Sequence, residues 1–114
     1  MKPSRASVDN PRLRKAAVAL NRADLPQAER LLKAYLHDFP TDVAAMRMLA
    51  EVAMRIGRDE DAGKLLDRAL ELAPGFLPAR YQRAVVLHRR NEPAEALAEI
   101  ERLLAADPRN PAYR

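Results

Sequence analysis

Residues 43–76 read VAAMRMLAEVAMRIGRDEDAGKLLDRALELAPGF, and the fold of the whole chain turns on them. Apolar residues fall at helical spacing twice: Met46, Leu49, Ala50, Ala53 and Ile56 form one stripe, and Ala62, Leu65, Leu66, Ala69 and Leu70 form the next. Gly57 lies between the stripes, where a helix end favours a residue that accepts positive φ at no steric cost. Pro74 follows the second stripe, and its ring blocks continuation of that helix. The stretch predicts two antiparallel helices joined by a tight turn.

The same pattern recurs on either side at a step of 34 residues. Pro40, Pro74 and Pro108 keep that step, as do Ala16, Ala50 and Ala84; Ala28, Ala62 and Ala96; and Val18, Val52 and Val86. Leu32, Leu66 and Ile100 keep it too, together with Leu36, Leu70 and Leu104. The units run 9–42, 43–76 and 77–110. Met1 to Val8 remain as a basic lead expected to be disordered, and residues 111–114 as the start of a possible fourth unit. Asn91 stands where Gly57 does, whereas Ala23 in that place predicts a weaker first turn. Pro26 and Pro93 fall at starts of second helices, where a missing N–H costs nothing.

The chain therefore reads as all-α, with six helices in three hairpins. The alanine columns mark points where helices approach closely. The Leu/Ile columns fill the space between hairpins, and each such side chain contributes roughly 1.5–3 kcal/mol when buried. No hairpin can bury its own stripe, so stability must come from stacking.

Composition narrows the function. The 114 residues hold no Cys and no Trp, which excludes disulfides, thiol catalysis and Cys-ligated zinc. No uninterrupted apolar run exceeds Ala16 to Leu20, so neither a membrane span nor a signal-peptide core is present, and the cytoplasm is the expected compartment. A net charge of +4 is small for a chain that is 32% charged and predicts an ordinary mixed surface.

Small residues at unit positions 8 and 20, an apolar residue at 24 and Pro at 32 resemble the tetratricopeptide repeat. The resemblance implies a right-handed superhelical solenoid of three hairpins that binds protein or peptide and carries out no catalysis. Leu49, Ala50, Gly57, Ala62, Leu66, Ala69 and Pro74 all fit the family pattern. Units one and three depart from it at positions 4 and 7, where Arg12 and Lys15, then Arg80 and Arg83, replace the usual aromatic or Leu; the resemblance supports the first-helix packing of those units less, and the period is unchanged. A narrower similarity rests on DVAAMRMLAEVAMRIGR (42–58), AVVLHR (84–89) and PAEALAEIERLLAADPRNPAYR (93–114). These segments look like the repeat region preceding the catalytic domain of bacterial tetratricopeptide-repeat sulfotransferases. That likeness implies a downstream domain using 3′-phosphoadenosine 5′-phosphosulfate (PAPS), for which this chain would be an accessory part.

In the family, positions 2, 5, 9, 12 and 13 commonly face the concave groove. Carried over, they are Asn10, Leu13, Ala17, Leu20 and Asn21; Ala44, Arg47, Glu51, Met54 and Arg55; and Pro78, Tyr81, Val85, His88 and Arg89. Forked Arg donors beside apolar Leu20 and Met54 fit an acidic extended or helical peptide. The Lys and Asn with which some family members clamp a terminal carboxylate are replaced here by Leu13 and Ala17, which disfavours that ligand.

Catalysis has little to stand on. His37 and His88 share no metal-ligand spacing, and the only serines, Ser4 and Ser7, lie in the lead. Three scattered glycines make no phosphate-cradling loop, so neither a cofactor nor the sulfuryl donor is expected to bind here. Asp59, Glu60 and Asp61 open a second helix, where negative charge favours the positive end of the macrodipole. RNA-reading helical repeats of the pentatricopeptide type use a 35-residue period and fixed base-reading columns. Tyr35 and Phe39 here lie on an apolar stripe, so nucleic acid is a weak alternative partner. Leu97, Ile100, Leu103 and Leu104 on the last helix have nothing after them to cover them, so the chain is expected to be part of something longer, or to self-associate through that face.

Overall fold

A computed structural model describes residues 10–113, so the lead expected to be disordered and Arg114 lie outside the described residues. The described chain is an all-α solenoid: α1 (Pro11–Asn21), α2 (Leu25–Asp38), α3 (Val43–Arg55), α4 (Asp59–Leu72), α5 (Leu77–Arg89) and α6 (Pro93–Ala106), followed by a 3₁₀ turn, Pro111–Tyr113. The second helices begin at Leu25, Asp59 and Pro93 and end at Asp38, Leu72 and Ala106, in step with the sequence period.

Local chemistry sets these bounds. Asn10, Asp24 and Asp42 cap α1, α2 and α3, accepting from the backbone N–H of Arg12, Gln27 and Ala45. The three acidic residues opening α4 lie in its first turn. The helix-to-helix turns are three copies of one motif. Ala23, Gly57 and Asn91 have φ of 61°, 83° and 63°. The next residue donates back to the helix in each copy, Asp24 N to Ala19 O at 2.9 Å, Arg58 N to Ala53 O at 2.7 Å and Glu92 N to Leu87 O at 2.9 Å. The first turn thus forms with Ala23 in the left-handed region, against the local preference of an alanine.

Each first helix packs on its own second helix, and α2 and α4 pack on the first helix of the next unit. First helices also touch one another, α1 with α3 and α3 with α5, while among the described residues second helices of successive units make no comparable contact. First helices therefore line the inner side of the curve. The alanine columns are buried at all six positions, and Leu32 and Leu66 are fully enclosed. Tyr35 is enclosed too, its ring stacked 4.7 Å from Phe39 and its hydroxyl donating to Asp42 Oδ2 at 2.6 Å. Burial and this bond to a carboxylate raise its pKa well above the ordinary phenolic value.

Three of the four side chains that depart from the family pattern at positions 4 and 7 are ion-paired, and the fourth, Lys15, is exposed. Arg12 pairs with Asp38 at 2.6 Å and lies 5.6 Å from the centre of the Tyr35 ring, while Arg80 and Arg83 converge on Glu99. The last helix is better covered than its sequence suggests. Leu103 is fully buried and Ile100 and Leu104 are half-buried, leaving Leu97 at 59% exposure.

Candidate functional site

Of the fifteen groove residues expected from the sequence, Asn10, Ala17 and Ala44 are half-buried and Pro78 exposed, and the other eleven divide into three groups. Leu13, Leu20 and Met54 are buried core residues, because their side chains close the contact between neighbouring helices instead of facing the groove. Arg47, Glu51, Tyr81 and Val85 are half-buried. Asn21, Arg55, His88 and Arg89 are exposed.

The arginines at position 13 have a structural task as well. Arg55 donates to Leu20 O at 3.2 Å and Arg89 to Met54 O at 3.0 Å, a repeated tie from one first helix to a last-turn carbonyl of the preceding unit's first helix. Those carbonyls belong to the last turn, where the helix presents its negative end, so a guanidinium there is doubly favoured. Glu51 receives Arg47 at 3.5 Å and also Arg55, and Asp59 lies 3.1 Å from Arg89. Arg47, Arg55 and Arg89 against Glu51 and Asp59 leave the inner face an excess of one positive charge, with an apolar patch at its far end. There Tyr81, Val85 and His88 join Leu97, Ile100 and Tyr113 in an open cleft of about 440 Å³, its edge formed by the Tyr81 and Tyr113 rings 5.7 Å apart.

One cluster escaped the reading of the sequence. Glu99, 1% exposed, accepts from Arg80 at 2.9 Å, Arg83 at 2.8 Å and Arg102 at 2.8 Å. Arg83 also donates to Asp67 at 2.9 Å and Arg80 to Pro74 O at 2.9 Å. Burial alone would push the Glu99 carboxyl up; the bonds from Arg102, Arg83 and Arg80 outweigh it and hold its pKa below the ordinary value. The available signal was Glu99 itself, a carboxylate in the column that holds Leu31 and Leu65, opposite two unexpected arginines. The histidines stay on separate helices, His37 beside Asp38 on α2 and His88 on α5.

A sequence model of the tetratricopeptide repeat matches residues 13–75, more than half of the chain, and a second covers 60–114. The chain belongs to the tetratricopeptide repeat family. FK506-binding protein-like proteins of Rattus norvegicus and Homo sapiens are each 36% identical to it, over 66 and 62 residues, or 58% and 54% of this chain. Those stretches make up only 19% and 18% of the relatives' own lengths. Among solved structures, the first tetratricopeptide domain of Spaghetti (RPAP3), bound to the HSP90 peptide SRMEEVD, superposes with a TM-score of 0.87 at 16% identity, covering 96% of this chain and 86% of that one. MamA superposes with a TM-score of 0.79 at 19% identity, covering 93% and 65%. At these identities the likeness is one of fold. Among the described residues no helix is long and apolar enough to cross a membrane.

Proposed function

We propose that this chain is a non-catalytic recognition module that takes an acidic peptide segment of a partner protein along the inner face of its first helices. The observation that carries the reading is the row of half-buried Arg47 and exposed Arg55, Arg89 and His88 leading to the apolar Tyr81 and Val85 cleft. Carboxylates would meet forked donors, and an apolar side chain would find the cleft. The acidic peptide held by a neighbour of the same fold lends support. A clamp on the peptide's terminal carboxylate is not part of the proposal, since Leu13 is buried and Ala17 has no donor.

The test uses a labelled peptide alternating glutamate with leucine and its lysine counterpart. The glutamate peptide should bind and the lysine peptide should not. Arg47→Glu is the cleaner variant, because Arg55 and Arg89 also tie helices together. It should weaken binding about tenfold or more, equivalent to about 1.4 kcal/mol. The same charge change on a second helix, Arg68→Glu, should leave binding unchanged. Equal loss from both, or no discrimination between the peptides, would refute the assignment.

A second reading places the chain before a PAPS-dependent sulfotransferase domain as its accessory part. It is favoured by the wording of residues 42–58, 84–89 and 93–114. A longer reading frame with a Gly-rich phosphosulfate loop would support it, and one without would remove it. Weak RNA binding is the remaining alternative, and retention of a labelled single strand that falls steeply with salt would point to it.

A further inference from the structure

We propose that copies of this chain associate end to end, α6 of one seated on α1 of the next in the register that stacks units within the chain. Internal interfaces define which positions meet. Position 21 meets position 10 of the next unit: a Cβ on Gly63 would lie 3.9 Å from Val86. Position 25 meets position 7: Asp67 pairs with Arg83 at 2.9 Å.

At the two ends of the described residues, the same positions face no stacked unit and are complementary. Position 21 of unit three is Leu97, 59% exposed, and position 10 of unit one is Val18, 46% exposed. Position 25 of unit three is Glu101 and position 7 of unit one is Lys15, both exposed. One stacking step would cover Leu97 with Val18 and pair Glu101 with Lys15. The shape of the α1 face agrees. An open cleft of about 650 Å³ is lined there by Val18, Ala19, Arg22, Asp24 and Leu31. Its counterpart one unit on, at Val52, Ala53, Ile56, Arg58 and Leu65, is reduced to about 260 Å³ and rimmed by Glu29 and Lys33 of α2. A preceding second helix is what narrows this cleft inside the chain, and α6 of a second copy supplies one.

The 3₁₀ turn competes for the site. Pro111–Tyr113 takes the first three positions of a following unit, with Tyr113 against Tyr81, and an incoming α1 begins at Pro11, which holds the place of Tyr113. Association therefore displaces this turn, and it runs head to tail, giving open chains instead of a closed pair.

Sedimentation equilibrium across a concentration series tests the proposal. The average mass of the full chain should rise with concentration, and Tyr113→Ala should strengthen association severalfold. Val18→Glu and Leu97→Glu, at exposed positions, should each remain helical and monomeric. Mixed in equal amounts they should form a one-to-one dimer, since each keeps one working end. Circular dichroism confirms that each variant is folded; should one lose helicity, Lys15→Glu takes the place of Val18→Glu, or Glu101→Lys that of Leu97→Glu, with the same outcome expected. A full chain and a Tyr113→Ala chain that both stay monomeric would overturn the proposal. So would self-association that survives either end variant, or folded end variants that fail to pair when mixed.

Discussion

Units two and three fill the same place with opposite chemistry. At positions 4, 7 and 23 unit two has Met46, Leu49 and Leu65, and unit three has Arg80, Arg83 and Glu99. The backbone does not register the exchange: α4 and α6 have the same length, and both hairpins turn through a left-handed residue at the same position, Gly57 or Asn91, and the same pair of backbone bonds. The stacking geometry thus belongs to the small residues and the turn, while the space between helices accepts either apolar contact or a fully paired carboxylate. The ionic version is the more fragile to partial change, because a buried charge tolerates desolvation only while its partners remain.

The largest expected effect breaks that pairing. Glu99→Leu alone should destabilise the chain by about 3 kcal/mol, read from chemical denaturation, because Arg80 and Arg83 lose the buried carboxylate they share and keep only Pro74 O and Asp67 as acceptors. Arg80→Met and Arg83→Leu added to it rebuild the set found in unit two and should return stability to the parent value or above it. A triple variant as unstable as the single one would show that the two units are not equivalent.

The acid limb of stability sharpens the comparison further. The folded-state pKa of Glu99 is depressed, so its contribution is complete above the ordinary carboxyl value of 4.5 and is lost as pH falls through the lower folded value. The triple variant lacks that carboxyl and should lose less stability on acidification below about pH 4.5. Thermal melts across that range measure the difference.

The smallest effects lie at the turns. Gly57 has open space where a Cβ would go, so Gly57→Ala meets only the backbone cost of positive φ, about 1 kcal/mol. Ala23→Gly relieves the same strain in unit one and should raise stability by somewhat less, about 0.5 kcal/mol.

The period was legible because Pro40, Pro74 and Pro108 end helices by a local steric rule, and the alanine columns fall at six buried positions where small residues permit close approach. The inner face was less legible. Leu13, Leu20 and Met54 occupy groove positions by column, but their apolar side chains are drawn into the contacts between helices. The ties from Arg55 and Arg89 end on backbone carbonyls, and a carbonyl acceptor has no residue signature. The Arg80, Arg83 and Glu99 set is visible only when two departures from pattern, 16 or more residues apart, are read together as one compensation.

First helices, not second helices, are proposed to meet the partner. Backbone amide shifts followed by NMR during titration with the glutamate and leucine peptide locate the contact. The expected result is a band of shifts on α3 and α5, around Arg47, Glu51, Arg55, Tyr81, Val85 and Arg89. Shifts confined to α2, α4 and α6, around Ala34, Arg68 and Glu95, with α3 and α5 unchanged, would overturn the proposal.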